Sequence, residues 1–539
     1  MKVAQAIIKH LEKENITTVF GYPGGAVLTL YDELRKSNIK HILVRNEQSA
    51  VHYASGFARH SSTVGVCIAT SGPGATNLIT GIATSYMDSI PIVIITGQVH
   101  SNLIGTDAFQ EADITGATQP FTKHSYLVKK GDDIQKVLTE AFHIASTGRP
   151  GPVLIDIPSD VFNCKIKYKE LSDVDIKGYK PTIIGHKGQI KRSITKLKHS
   201  EKPLIFAGGG VLTADASQEL KLFAETNGIP VTNSLMGLGS FDHNSPLYCG
   251  LVGSHGHTLA NKLFSSADLL MVIGARLSNR AMHNLDTLNP DVEIIHIDID
   301  PAEISKNLDA TIPVVGDARL ILREFNKKTI EVNTTQWLYD IAKYKNYDSN
   351  SVDDNLGCVS PRRFVKELSK KLSDSSVLVA DVGQNQFWST RNYTINAERR
   401  FMTSGGLGTM GYSLPAAIGA KLADESKQVI STIGDGGFQM CLGELAVVAE
   451  HKLGLKIVVF KNNRLGMVNE LQNSIYGQDK SFGVHLDYDV DFIQLAKAYG
   501  IEGIRVVSDS DIESTISKIL SDDKPYLVEC LVSPDYKTL

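Results

Sequence analysis

Residues 429–471 read VISTIGDGGFQMCLGELAVVAEHKLGLKIVVFKNNRLGMVNEL. An apolar run, 429–433, ends in Gly434-Asp435-Gly436. A helical pattern follows over about 440–452, and a second apolar run, 456–460, leads to Asn462. Strand, tight turn, helix and strand make one βαβ unit. Ligands of parallel sheets sit at the carboxyl ends of the strands, where Asp435 and Asn462 would stand side by side. Gly434 and Gly436 let the backbone approach a phosphate closely. One carboxylate, one amide oxygen and room for phosphate oxygens and water suit an octahedral Mg²⁺.

The whole chain extends this α/β pattern. Its 539 residues, 42% hydrophobic and 21% charged, are ordinary globular composition, enough for about three domains. A net charge of −4 argues against a nucleic-acid partner. The first residues, MKVAQAIIKHLEKENI, read as an amphipathic helix rather than a signal or transit peptide. No apolar run reaches membrane-spanning length. The six cysteines are scattered without a Cys-x-x-Cys pair, which fits a reducing cytoplasm.

Residues 1–165 alternate helical and strand patterns, with a glycine-rich loop at Gly21–Gly25 and a Ser71-Gly72-Pro73-Gly74 turn. A strand near 41–44 ends at Glu47, and a helix is predicted over 50–59. A polar, Lys-rich segment, 164–180, reads as a linker. A second α/β unit over 185–325 opens with strand 204–207 and the turn Gly208-Gly209-Gly210, a dinucleotide-type pattern that is weak alone. Residues 320–360 are a polar connector with a helical pattern inside it and an expected exposed loop at 347–355. Pro361 opens a third unit, 360–539. The predicted architecture is α/β, with three doubly wound parallel-sheet domains.

Longer motifs make the pattern specific. Gly434-Asp435-Gly436 with Asn462 resembles the thiamine diphosphate motif. Aligning on Arg464-Leu465-Gly466-Met467-Val468 puts Asn462, not Asn463, at the metal position, with the Arg464 carbonyl as a further ligand. Phe20-Gly21-Tyr22-Pro23-Gly24-Gly25, Thr70–Leu78, Gly105–Glu111, Thr147–Val153 and Ser404–Gly411 are all similar to segments of acetohydroxyacid (acetolactate) synthase large subunits. The likeness covers essentially the whole chain. It implies a pyrimidine-binding, an FAD-binding and a diphosphate-binding domain, with thiamine diphosphate, Mg²⁺ and FAD as cofactors.

The resemblance also assigns roles. Glu47 would start the proton relay on the aminopyrimidine, a task suited to a tuned carboxylate. Gly25, Gln384, Asn385, Gly408, Met410 and Met467 would contact the thiamine cofactor, and Gly208, Gly209 and Arg276 the flavin. Phe109, Gln110, Arg280 and Leu471 would face substrate, Arg280 clamping the carboxylate of the second 2-keto acid. By residue type alone, Phe109 and Met410 equally suit a core. Three departures from the family stand out: Leu277-Ser278-Asn279-Arg280 for Phe-Asp-Asp-Arg, Asn385 for His, and Leu471 where biosynthetic members commonly carry Trp. The implied reaction joins two 2-keto acids, with pyruvate as donor and pyruvate or 2-ketobutyrate as acceptor, for branched-chain amino acid synthesis in the cytoplasm. Glu47 and Asp435 lie on domains that meet across a subunit interface in this family, which implies a homodimer or homotetramer. A small regulatory subunit is a further implied partner. Two other readings stay open: another thiamine diphosphate carboligase or decarboxylase on the same scaffold, and a non-catalytic flavin- or nucleotide-binding scaffold.

Overall fold

The computed structural model describes all residues except 170, 172–173, 283–286, 348–356, 397–398 and 479. It contains three parallel six-stranded sheets. In spatial order, the first is Lys40–Leu43, Thr18–Tyr22, Gly65–Ala69, Ile92–Gln98, Pro152–Pro158, His124–Leu127. The third is Arg400–Met402, Val377–Ala380, Val429–Gly434, Lys456–Lys461, Tyr526–Leu531, Glu502–Val506. Numbered within each sheet, both run 2-1-3-4-6-5. The middle sheet runs Ile312–Val315, Glu293–Asp298, Leu269–Ile273, Pro203–Ala207, Val231–Asn233, Tyr248–Leu251. That is the 3-2-1-4-5-6 order of dinucleotide-binding folds read from the other edge.

The strands are continuous apolar runs because helices cover both faces. Ile92–Gln98 and Pro152–Pro158, for example, are buried along their whole length. In each sheet the strand order changes sides at the first strand, and every such point carries glycine-rich turns: Gly21–Gly25 beside Thr70–Gly74, Gly208–Gly210 beside Gly274, and Gly383 beside Gly434.

The first and third sheets share one hydrophobic core, with Phe20, Ile42 and Tyr53 packing into the same cluster as Tyr412, Ala416 and Phe438. The helix Glu47–Ser61 crosses the helix Ser413–Ala423 at glycine contacts. A methyl on Gly56 would run into the Ala416 carbonyl, and one on Gly419 into the Tyr53 carbonyl. The interface is also hydrogen-bonded: Ser55 Oγ and the Tyr412 hydroxyl lie 2.9 Å apart, and Arg59 Nη1 donates to the Thr403 carbonyl at 2.9 Å.

Local structure departs from the sequence expectations in three places. The helix expected from residue 50 begins at Glu47, because Asn46 caps it by accepting from the Gln48 N–H at 2.8 Å. The helix expected over 440–452 is broken into Asp435–Cys441, a 3₁₀ turn Leu442–Glu444 and Leu445–Glu450. The break serves Glu444, whose buried carboxylate accepts from the Tyr53 hydroxyl at 2.7 Å and the Arg45 N–H at 3.1 Å. The segment read as a linker is tied down: Met1 pairs with Ile166, and the Tyr179 hydroxyl donates to the Thr147 carbonyl. The connector after residue 320 contains the helix Thr335–Tyr347, while the loop expected at 347–355 lies, past that helix, outside the described residues. Among the described residues no helix is long and apolar enough to cross a membrane.

Candidate active site

Asp435 is the first residue of its helix and only 2% exposed. Oδ1 accepts from the Gly436 N–H at 2.9 Å, and Oδ2 accepts from the backbone N–H groups of Asn462, at 3.0 Å, and Asn463. Pairing of Gly434 with Phe460 in the parallel ladder is what brings the two strand ends together. Burial pushes the Asp435 carboxyl up to about 6 despite those three N–H groups. A divalent cation at this point would supply the charge the buried carboxylate lacks. Asn462 meets Asp435 through its backbone N–H, and its side-chain Oδ1 accepts from the Arg464 N–H at 3.2 Å. Asn463, with φ +55°, sends its amide away to Asp489. Asp435, Asn462 and the Arg464 backbone therefore form a set with one carboxylate and neutral oxygens. Among the described residues no group of three or more His, Cys, Asp or Glu is arranged to hold a metal. The donor set suits a phosphate-bound Mg²⁺ that keeps several waters.

Glycine turns that could form a phosphate cradle lie beside this pair. Gly383 has φ +130°, and a Cβ there would lie 3.3 Å from Asn385 Oδ1. A Cβ on Gly434 would meet only that same oxygen, at 3.6 Å. Asn385, expected to contact the cofactor, has no side-chain N–H free to donate to a phosphate. Both of its N–H bonds are committed, to the Asp381 and Thr432 carbonyls at 3.0 Å each, so its oxygen faces the glycines. Gln384 is also engaged, donating to Glu470 and to the Tyr536 carbonyl. Above the cradle, Met410 Cε reaches within 3.6 Å of where a Gly436 Cβ would stand. Gly408, with φ +79°, is open on its Cα face.

A cavity of ≈ 820 Å³, large for a small-molecule site, runs from the middle sheet to this region. Gly209, Arg276 and Arg280 line it on one side, Gly408 and Met467 on the other. Arg276 Nη2 donates to the Met87 carbonyl at 2.6 Å, which fixes its direction. His255 stacks on Phe387 with ring centroids 4.3 Å apart in the cavity wall. Gly208 stands just behind the lining: its N–H donates to the Ile273 carbonyl at 2.9 Å, and its Cα face abuts Gly274 and Ala275. Glycine is needed there for strand-to-strand packing. The volume, with Gly209 and Gly210 in its lining, is of a size that fits an extended dinucleotide.

The residues expected at the pyrimidine end form a separate group. Glu47 Oε2 accepts from Asn77 Nδ2 at 2.9 Å, leaving Oε1 beside Gly74. Gly25 has open space at its Cα, Gln110 holds φ +61° against Gly72, and Phe109 is 88% exposed. The core reading of Phe109 is thereby excluded. Gly25, Glu47, Phe109 and Gln110 do not line the large cavity, so one chain holds Arg280, Gly408 and Met467 together but not these four with them. Leu471 is 56% exposed on the helix Gly466–Tyr476, along with Val468 and Ile475. Sequence reasoning missed Glu444, Glu470 and Asp381. Asp381 is fully buried and accepts from the Gly411 and Ser413 N–H groups at 3.0 Å each. Only its place at the end of a predicted strand hinted at it.

Family comparison agrees with the geometry. The thiamine pyrophosphate enzyme N-terminal TPP binding domain matches residues 1–117, the central domain 190–325, and the C-terminal TPP binding domain 381–530. A probable acetolactate synthase large subunit of Methanocaldococcus jannaschii is 46% identical, over 99% of this chain and 92% of that protein. The chain belongs to the acetolactate synthase large subunits, within the thiamine pyrophosphate enzymes. The acetolactate synthase large subunit of Haemophilus influenzae is 42% identical over 96% of this chain and 92% of its own length. That of Corynebacterium glutamicum is 42% identical over 99% and 87%. Family membership accounts for the three α/β units.

Proposed function

We propose that this protein is an acetolactate synthase, dependent on thiamine diphosphate and Mg²⁺ and carrying FAD. It decarboxylates pyruvate and joins the two-carbon unit to a second 2-keto acid, giving 2-acetolactate when that acid is pyruvate. The observation that carries the reading is the buried Asp435 beside Asn462 at the strand ends, in a chain similar to acetolactate synthase large subunits along its whole length. Thiamine diphosphate, when bound, supplies the nucleophilic carbon and the electron sink for decarboxylation.

The residues of the chain divide the remaining work. Asp435, Asn462 and the Arg464 carbonyl hold Mg²⁺, while Gly434 and Gly436 give the diphosphate close access to backbone. Gly383, Gln384 and Asn385 shape the floor of that cradle, with Gln384 and Asn385 acting by position rather than as free donors. Met410, Gly408 and Met467 support the cofactor rings. Glu47 Oε1, left free by the Asn77 contact to Oε2, holds the proton of the aminopyrimidine relay. Arg280 binds the acceptor carboxylate with its guanidinium fork, and Phe109, Gln110 and Leu471 shape the acceptor site. Gly209 and Arg276 contact the flavin. Gly25 borders the thiamine ring.

The three domains run 1–165, 185–325 and 360–539. Because Glu47 and its neighbours stand apart from the cavity of their own chain, two chains complete each site, and a homodimer is the smallest active unit. The chain works in the cytoplasm, in branched-chain amino acid synthesis, and accepts a small regulatory subunit.

The test is acetolactate formation from pyruvate by the purified protein with Mg²⁺ and thiamine diphosphate, with and without FAD. FAD-dependent acetolactate supports the full reading. Acetolactate without any flavin requirement keeps the chemistry and removes the flavin assignment. Acetaldehyde as the product moves the protein to a decarboxylase on the same scaffold.

A further inference from the structure

Gln384 opens the helix Gln384–Asn392 next to the cation site, and its amide is gripped at both ends. Nε2 donates to Glu470 Oε1 at 2.6 Å and to the Tyr536 carbonyl at 2.9 Å. Oε1 accepts from Asn462 Nδ2 at 3.0 Å. The same Glu470 oxygen accepts from the Thr538 N–H at 2.8 Å. Trp388 Nε1, one turn along the Gln384 helix, donates to the Lys537 carbonyl at 3.0 Å, so residues 536–538 are seated against that helix.

The chemistry of these groups allows one arrangement. A carboxylate and a peptide carbonyl can only accept. Gln384 must therefore turn its NH₂ toward Glu470 and Tyr536 and its oxygen toward Asn462. Asn462 must answer with its own NH₂, which leaves Oδ1 presented away from Gln384, on the side where it also accepts from the Arg464 N–H at 3.2 Å, so Gln384 and Arg464 hold the same amide from opposite ends. An asparagine flipped the other way would aim N–H bonds at a cation, which repels them. We propose that Glu470 is a positioning residue: together with the 536–538 backbone it fixes the amide orientation of Gln384, and through it that of Asn462, so that the site offers a divalent cation an oxygen. Glu470 touches neither cation nor cofactor in this scheme. The inference rests on the reading of Asn462 as a cation ligand. It adds a control on which atom that ligand shows, set from a helix and a chain segment outside the cradle.

The experiment titrates Mg²⁺ into the full-length protein with thiamine diphosphate present and reads heat of binding, with the ligand-free unfolding midpoint as a control for folding. Glu470→Ala should weaken apparent Mg²⁺ affinity roughly tenfold or more, as loss of an outer-sphere orienting partner does. Glu470→Gln, whose oxygen can take both donors, should return most of it. In an Asn462→Asp background both side-chain atoms are oxygens, so orientation no longer matters and Glu470→Ala should cost little. Equal losses in both backgrounds, or none in either, overturn the proposal. Should Glu470→Ala fail to fold, Gln384→Leu is read by the same criteria. Asn462→Ala separates the two layers. Unchanged Mg²⁺ affinity in that variant removes the ligand reading itself. A lost affinity there, with Glu470→Ala binding as wild type, removes only the orienting role.

Discussion

Glu47 has one oxygen committed to Asn77 and one available, at the first residue of a helix capped by Asn46. Replacing it by Gln keeps the shape and the contact but removes the basic oxygen. Glu47→Gln should therefore lower kcat by about 10²–10⁴, the usual worth of a positioned proton carrier, with cofactor affinity nearly unchanged. A variant as active as wild type would revive the non-catalytic scaffold. In the proposed acceptor site, Leu471 is 56% exposed, so a larger ring there would occupy space that the leucine leaves to solvent. Leu471→Trp should raise the preference for 2-ketobutyrate over pyruvate about tenfold, within the range that pocket shape alone can deliver. Competition between the two acids measures it. Asp156 gives a pH signature remote from the site. It is buried, accepts from Thr96 Oγ1 at 2.7 Å and Gln98 Nε2 at 2.9 Å, and burial pushes it up to about 7. Between the ordinary carboxylate range near pH 4 and pH 7 the folded chain thus holds a proton that the unfolded chain has released. Its contribution to stability is complete below that range and is lost as pH rises through 7. Asp156→Asn should flatten this dependence and unfold at higher urea than wild type at pH 8; the same pH slope in both proteins would refute the assignment. The site was unevenly legible at this scale. Asp435 and Asn462 could be read because each ends an apolar run. The saturated amide of Asn385 and the grip on Gln384 could not, because their partners, Thr432, Glu470 and Tyr536, lie between 47 and 152 positions away in sequence.

Among the elements, the crossing of Glu47–Ser61 with Ser413–Ala423 joins the first and third sheets, and it depends on the absence of two side chains. Backbone, not a flexible side chain, stands where a Cβ at Gly56 or Gly419 would go. Gly56→Ala should cost about 3 kcal/mol or more, at the upper end for overpacking, because neither helix can yield without disturbing the shared core. Denaturant unfolding would show it, and a midpoint equal to wild type would mean that the helices can slide apart cheaply. The strands were the most readable elements, since continuous apolar runs bounded by glycine turns mark parallel strands buried on both faces. Helix interruptions were hidden. Nothing local to residues 440–452 announces that Glu444 must turn inward to meet Tyr53 and the Arg45 backbone, contacts made by a segment almost 400 positions earlier. Strand order was likewise invisible, because it depends on which crossover returns beside which strand.

On the scale of the whole molecule, the exposed apolar side chains bear on the proposed two-chain site. Phe109, Met440, Leu471, Phe482 and Tyr488 are exposed, and Phe109 belongs to the pyrimidine-end group. Single exposed apolar residues are unremarkable, but Phe109 and Leu471 are both among the residues proposed to shape the acceptor site. Glu47 takes its hydrogen bond from Asn77, and Asp435 takes its own from Gly436, Asn462 and Asn463, with no partner in common. If each working site combines Glu47 of one chain with Asp435 of another, two differently disabled chains can rescue each other. Glu47→Gln and Asp435→Asn proteins should each be inactive alone. Mixed at equal amounts and allowed to exchange subunits, they should form heterodimers in which one of two sites has both carboxylates. Random pairing in a two-fold dimer then restores about a quarter of wild-type activity. Recovery should need exchange, appearing slowly at high protein concentration and fast after dissociation and reassembly. Sizing of labelled chains would establish that exchange has occurred. Exchange without recovered acetolactate would place both carboxylates of a working site in one chain, and the family reading of a shared site would not apply to this protein.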